Sequence, residues 1–148
     1  MTEADLLRFA NAQAPVYSQV VKELTAGCKR THWMWFIFPQ LRGLGHSAMA
    51  QHYAIFNLDQ AVRYLADPIL GSRLRQHVRL MMAHKSKSAL EILGSPDDLK
   101  FRSCLTLFGQ AASDTPTARY SWKLWINSIV ASQTLARWSC YALELDRN

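Results

Sequence analysis

Leu6, Phe9, Ala10, Gln13, Val16, Tyr17, Val20, Val21 and Leu24 recur at roughly helical spacing. An amphipathic first helix is predicted from that spacing. Thr2 suits its N-cap and Asp5 its electropositive first turn. Pro15 should bend or split the helix, and Gly27 can end it. Ser47 is placed to cap a helix through Ala48, Met49, Gln51 and Tyr53. Asn57-Leu58-Asp59-Gln60 is a capping-box variant opening a helix to Ala66. Asp67-Pro68 starts the next, with Leu70, Leu74, Val78 and Met81 or Met82 as its apolar set and basic residues opposite.

Ser86 or Ser88 opens a short helix through Leu93, closed by Gly94. Ser95-Pro96-Asp97-Asp98 then supplies a cap, a proline and two first-turn acids. Leu99, Cys104, Leu107 and Phe108 are the expected buried face of that helix. Two more helices are expected, from about Thr117 to Val130 and from Ser132 to Leu145. Val and Ile are scattered, and no period-two run is bounded by hairpin dipeptides. The expectation is an all-α single domain over residues 1–148, of about seven or eight helices. An aromatic-glycine loop lies near residues 31–47.

Composition narrows the class. The chain has 148 residues, 49% of them hydrophobic, which is enough for one packed core and excludes disorder. The longest wholly apolar run, Trp33 to Phe38, is six residues, too short to span a bilayer as a helix. The acidic start Met1-Thr2-Glu3-Ala4-Asp5 does not read as a signal peptide, and a cytoplasmic location is expected. The formal charge is +6, and it is unevenly spread. Between Glu23 and Asp59 there is no acid, but Lys29, Arg30 and Arg42 lie there with His32, His46 and His52. Pro68 to Leu90 is also acid-free and holds Arg73, Arg75, Arg79, Lys85 and Lys87. Such fields attract phosphates, carboxylates or nucleic acid.

Three widely spaced cysteines give no metal or redox pair. Cys104 and Cys140 sit among apolar neighbours, as buried thiols do, while Lys29 and Arg30 beside Cys28 favour a thiolate. His77 and His84 are seven apart with no carboxylate at coordinating spacing, so no metal site is expected. There is no G-x-S-x-G elbow, Walker motif or dinucleotide fingerprint. The sequence names no cofactor and no reaction.

Thr31 to Gly45 is the unusual segment. Trp33, Met34, Phe36 and Ile37 are core material, and a polar strip follows at once with Gln40, Arg42, Gly43, Gly45, His46 and Ser47. Pockets combine such apolar walls with convergent donors, and glycines admit a ligand close to the backbone. The run His32-Trp33-Met34-Trp35-Phe36-Ile37-Phe38-Pro39-Gln40-Leu41-Arg42-Gly43-Leu44-Gly45 resembles the signature of the domain of unknown function 1810 family. The likeness continues through Ala50 to Ile55, Tyr64 to Gly71 and Asp97 to Phe108. It implies a small all-α bacterial protein and brings no activity with it. That family's acidic, glycine-bearing turn before a final Thr-Leu pair is replaced here by Ala131-Ser132-Gln133-Thr134-Leu135.

Both specific segments carry polar residues that folding does not require. Trp35, Gln40, Arg42, Gly43, Gly45, Ser47 and Tyr53 from the first, with Lys100, Ser103 and Thr106 from the second, are the candidate ligand-binding set. Lys100, Ser103 and Thr106 share a broad helix face. His32 and Asp97 are the candidate proton-transfer groups. Three uses follow. One is a pocket for a small phosphate-bearing ligand, a nucleotide or an ADP-ribose-like compound, between the loop and the 96–108 helix. The second is an adaptor or homodimer using Trp122, Trp125 and Trp138 as anchors. The third is nucleic-acid binding through the basic stretch from Arg73 to Lys87. No membrane partner is expected.

Overall fold

The computed structural model describes residues 3–112 and 121–129. The first helix of the pattern is divided where Pro15 stands. It forms α1 (Glu3–Gln13), a 3-10 turn (Ala14–Val16) and α2 (Tyr17–Ala26). Gly27 ends α2 in the left-handed conformation, φ 72°. Then follow α3 (Met34–Ile37), α4 (Ala48–His52), α5 (Leu58–Ala66), α6 (Leu70–Met82), α7 (Ala89–Leu93) and α8 (Asp97–Ala111). Residues 121–129 are also helical. Among the described residues there is no β-strand, and the all-α reading holds. Thr2, the segments flanking 121–129, Trp138 and Cys140 lie outside the described residues.

Local chemistry accounts for most boundaries. The Ser47 hydroxyl accepts from Ala50 N, Asn57 Oδ1 from Gln60 N and Ser88 Oγ from Glu91 N. Gln60 reaches back to Phe56 N rather than Asn57 N, so the reciprocal half of the capping box is shifted by one residue. Asp67 Oδ1 accepts from both Ile69 N and Leu70 N at the entry to α6. Ser95 does not cap α8. The N-cap is Pro96, and no side chain bonds there.

Helix α5 packs against α6 and α8, α2 against α6, α7 against α8, and α1 against α3. Their shared core holds Phe9, Trp33, Phe38, Tyr64, Phe101, Phe108 and Trp122. Trp33, Met34, Phe36 and Ile37 are all buried, as their apolar run predicts. One expectation fails on α8. Cys104, Leu107 and Phe108 are buried as expected, but Leu99 is 54% exposed, and Asp98, Phe101 and Leu105 complete the buried stripe. The chain after α3 is pinned by a short parallel bridge at Leu41 and Ile55. There Ile55 N donates to Gln40 O and Arg42 N to Ile55 O. This bridge holds the following loop out from the core and over α8.

Candidate functional site

A buried carboxylate organises the entrance to the aromatic segment. Glu23, 3% exposed on α2, accepts from Arg30 N at 2.6 Å, Thr31 N at 2.8 Å, the Thr31 hydroxyl at 2.7 Å, Gln19 Nε2 at 2.8 Å and Trp33 Nε1 at 3.3 Å. Burial alone would push its pKa up. The bonds from Arg30, Thr31 and Gln19 outweigh it and hold the group at about 2. Residues 28–33 are therefore fixed around Glu23, and Lys29 N donates to Ile92 O on α7.

The fixed loop delivers Lys29 to the start of α8. Its ammonium lies 3.0 Å from Asp97 Oδ2 and 5.1 Å from the Trp33 ring centroid. Lys100 approaches Asp97 Oδ1 at 3.6 Å and lies 5.8 Å from the Trp35 ring. Two ammonium groups thus share the Asp97 carboxylate at this end of α8. The next residue, Asp98, turns into the core. One of its oxygens has no protein partner, and burial raises its pKa, which favours the neutral acid.

Further along α8 lies a groove of about 300 Å³. Leu41 and Leu44 from the loop form one wall, and Ser103, Thr106 and Leu107 of α8 form the other. Arg102 and Gln110 complete its lining. Lys100, Ser103, Leu107 and Gln110 follow i, i+3, i+7, i+10 spacing, so the cationic end and the groove lie along one stripe. Thr106 Oγ1 donates to Arg102 O within its own helix, which leaves its oxygen free to accept.

The expected site residues separate accordingly. Trp35 and Lys100 meet, and Ser103 and Thr106 line the groove. The others stand elsewhere. Arg42 is exposed and lies over the Phe56 ring at 5.8 Å. Ser47 is occupied in capping α4. Tyr53 packs edge-on to Phe36 and tilted against Phe9. Gly43 takes φ 88°, a conformation that favours glycine, and faces open space. Gly45 lies against α4, where an added Cβ would meet Ala50 Cβ at 2.6 Å, and Gln40 flanks it. His32 is exposed on the loop before the aromatic run, while Asp97 is held by the two lysines.

Sequence reasoning missed Lys29, Leu41, Leu44, Arg102 and Gln110. Helical spacing from Ser103 would have found Gln110. Nothing local marks Lys29 as the partner of Asp97. The basic stretch is largely tied into the fold. Arg73 donates to Gln13 and lies over Tyr17, Arg75 donates to Leu65 O, and Lys87 to Gly27 O. Trp122 is a core residue against Trp125 and Phe108. Among the described residues no three His, Cys, Asp or Glu side chains gather as metal ligands. Nor is any described helix long and apolar enough to cross a membrane.

The family model for "Protein of unknown function (DUF1810)" matches residues 3–137. The chain belongs to this family. Both walls of the groove fall within the DUF1810 match. Among solved structures, the chain is similar to the crystal structure of the conserved hypothetical protein Rv1873 from Mycobacterium tuberculosis. The two are 46% identical with a TM-score of 0.80, over 86% of this chain and 88% of that one. No curated protein matches the chain.

Proposed function

We propose that the protein binds a small anionic ligand with a planar or apolar body, of the nucleotide or ADP-ribose class, along the exposed stripe of α8. The observation that carries this reading is the groove itself. Leu41 and Leu44 stand across from Ser103, Thr106 and Leu107 around a space of about 300 Å³. That volume is at the lower end of small-molecule sites, and the mixture of apolar wall and few polar groups is typical of them. The body of the ligand lies between the leucines. Its anionic group reaches the Lys100 end, where two ammonium groups face one carboxylate. The half-buried Trp35 beside Lys100 offers a ring face for stacking.

The test is thermal denaturation of the purified protein with NAD, ADP-ribose, mononucleotides, sugar phosphates, inorganic phosphate and a short RNA. A ligand at one hundred times its Kd adds about 2.7 kcal/mol. For a chain of this size that raises Tm by roughly 5–10 °C. The shift should appear with one nucleotide-like compound and vanish in Lys100→Ala, a substitution that a helix tolerates well. A flat panel would overturn the reading.

A further inference from the structure

A second cavity lies away from the groove, where the chain turns from α6 into α7. It encloses about 100 Å³. Its floor is apolar: Met81, Ala89, Ile92 and Ile129 are all buried. Its rim is basic, with Lys85 and Lys87 beside the His84 ring, and Ser128 adds a hydroxyl. Among the described residues no Asp or Glu lines it.

The rim is held in place by the end of α2. His84 Nε2 bonds Leu24 O at 2.6 Å, and since a carbonyl only accepts, that nitrogen carries a proton. Lys87 Nζ donates to Gly27 O at 3.2 Å, leaving two of its three N–H bonds unused. A Cβ on Gly27 would come within 2.9 Å of the His84 ring and 3.2 Å of Lys87, so both side chains pack directly on that glycine.

We propose that this cavity binds a short-chain carboxylate. Its charged end meets Lys85 and Lys87, and its aliphatic tail covers the Met81–Ile92–Ile129 floor. Size limits the tail. A cavity of roughly 150 Å³ takes benzene, so this smaller one takes a tail of about two to four carbons and excludes a nucleotide. The apolar floor decides between oxyanions. Inorganic phosphate would satisfy the cations and leave the floor wet, whereas an aliphatic tail removes that surface from water.

The experiment is titration of the full chain with acetate, butyrate, octanoate and inorganic phosphate at constant ionic strength, followed by calorimetry and by the amide NMR signals of Ile92 and Ser128. Butyrate should saturate those signals and bind about tenfold tighter than acetate, as two further buried methylenes require. Octanoate should bind more weakly than butyrate. Lys85→Gln and Lys87→Gln should each weaken butyrate severalfold, and Ala89→Leu should fill the space and abolish binding. If Ala89→Leu does not fold, the two exposed lysine variants still decide. Lys100→Ala should leave butyrate binding unchanged, which separates this site from the groove. Absence of saturable butyrate binding, phosphate binding as tightly as butyrate, or octanoate binding more tightly would each overturn the proposal.

Discussion

The Lys29 ammonium and the Asp97 carboxylate meet at 3.0 Å, joining the loop after α2 to the first residue of α8. The Lys29 side chain is 9% exposed and that of Asp97 18%, so this is a part-buried pair. Removing one partner leaves the other charge uncompensated. Asp97→Ala should cost about 1–2 kcal/mol in urea denaturation, between the exposed and the fully buried case. Lys29→Met keeps the aliphatic length, and Lys100 still faces the carboxylate, so it should cost less. A loss below about 0.5 kcal/mol in both variants would show that the pair does not hold the loop to α8.

Glu23 links acid stability to the same loop. Its folded pKa of about 2 lies below the ordinary value of 4.5. The stability it contributes is therefore present above pH 4.5 and is lost as pH falls toward 2. Its size is on the order of 2–3 kcal/mol. Glu23→Gln should be destabilised by that order at pH 7, since a neutral amide cannot replace a carboxylate accepting from five donors. The gap between variant and parent in urea midpoint should narrow between pH 4.5 and pH 2.5. A gap independent of pH would mean that packing, and not charge, anchors the loop.

His77 acts in the same direction, over a higher pH range. It is fully buried between Tyr17 and Phe38, and neither ring nitrogen has a protein partner. Burial, with help from Arg73, lowers its pKa to about 4. Above pH 6.5 the ring is neutral in folded and unfolded chains and the linkage is silent. Below it, the unfolded chain takes up a proton that the folded chain refuses, and stability falls by up to about 3 kcal/mol by pH 4. His77→Phe keeps an aromatic ring there and removes two unsatisfied nitrogens. Its Tm should therefore drop less than the parent's between pH 8 and pH 5. An equal drop would locate the acid sensitivity elsewhere.

How much of this was legible in the sequence follows from the range of the interactions. Pro15, Gly27, Ser47, Asn57 and Ser88 act on backbone within a few residues, and the breaks and caps they predict are present. On the buried face of α8 only Leu99 was misplaced, because Asp98 lies there instead. A carboxylate does not mark a core stripe by its hydropathy, and Leu99 took its place in the expected set. The spacing of Asp98, Phe101, Leu105 and Phe108 was nonetheless available. The candidate site was half legible. Lys100, Ser103 and Thr106 share a face that helical geometry dictates. Which loop residues oppose them depends on the Leu41–Ile55 bridge, a pairing between segments that no local rule supplies. Arg42 has the right charge for an anion site, but its neighbour Leu41 lines the groove while Arg42 turns to Phe56.

Leu44 and Leu107 separate binding from folding within that groove. Leu44 is 56% exposed, so Leu44→Ala should change the stability of the free protein by less than about 0.5 kcal/mol. Leu107 is 9% exposed and belongs to the core, so Leu107→Ala should cost about 2–3 kcal/mol. A ligand seated between the two walls covers Leu44, and the apolar area gained there is absent from the alanine variant. Leu44→Ala should therefore reduce the ligand-induced rise in Tm while the Tm of the unliganded protein stays in place. Gly43→Ala adds a backbone arm. At φ 88° an alanine is strained by roughly 1–2 kcal/mol, although a Cβ there meets nothing within 4 Å. Relief of that strain moves Leu44, so Gly43→Ala should lower both the free Tm and the ligand shift. If Leu44→Ala binds the ligand as the parent does, the loop is not a wall of the site.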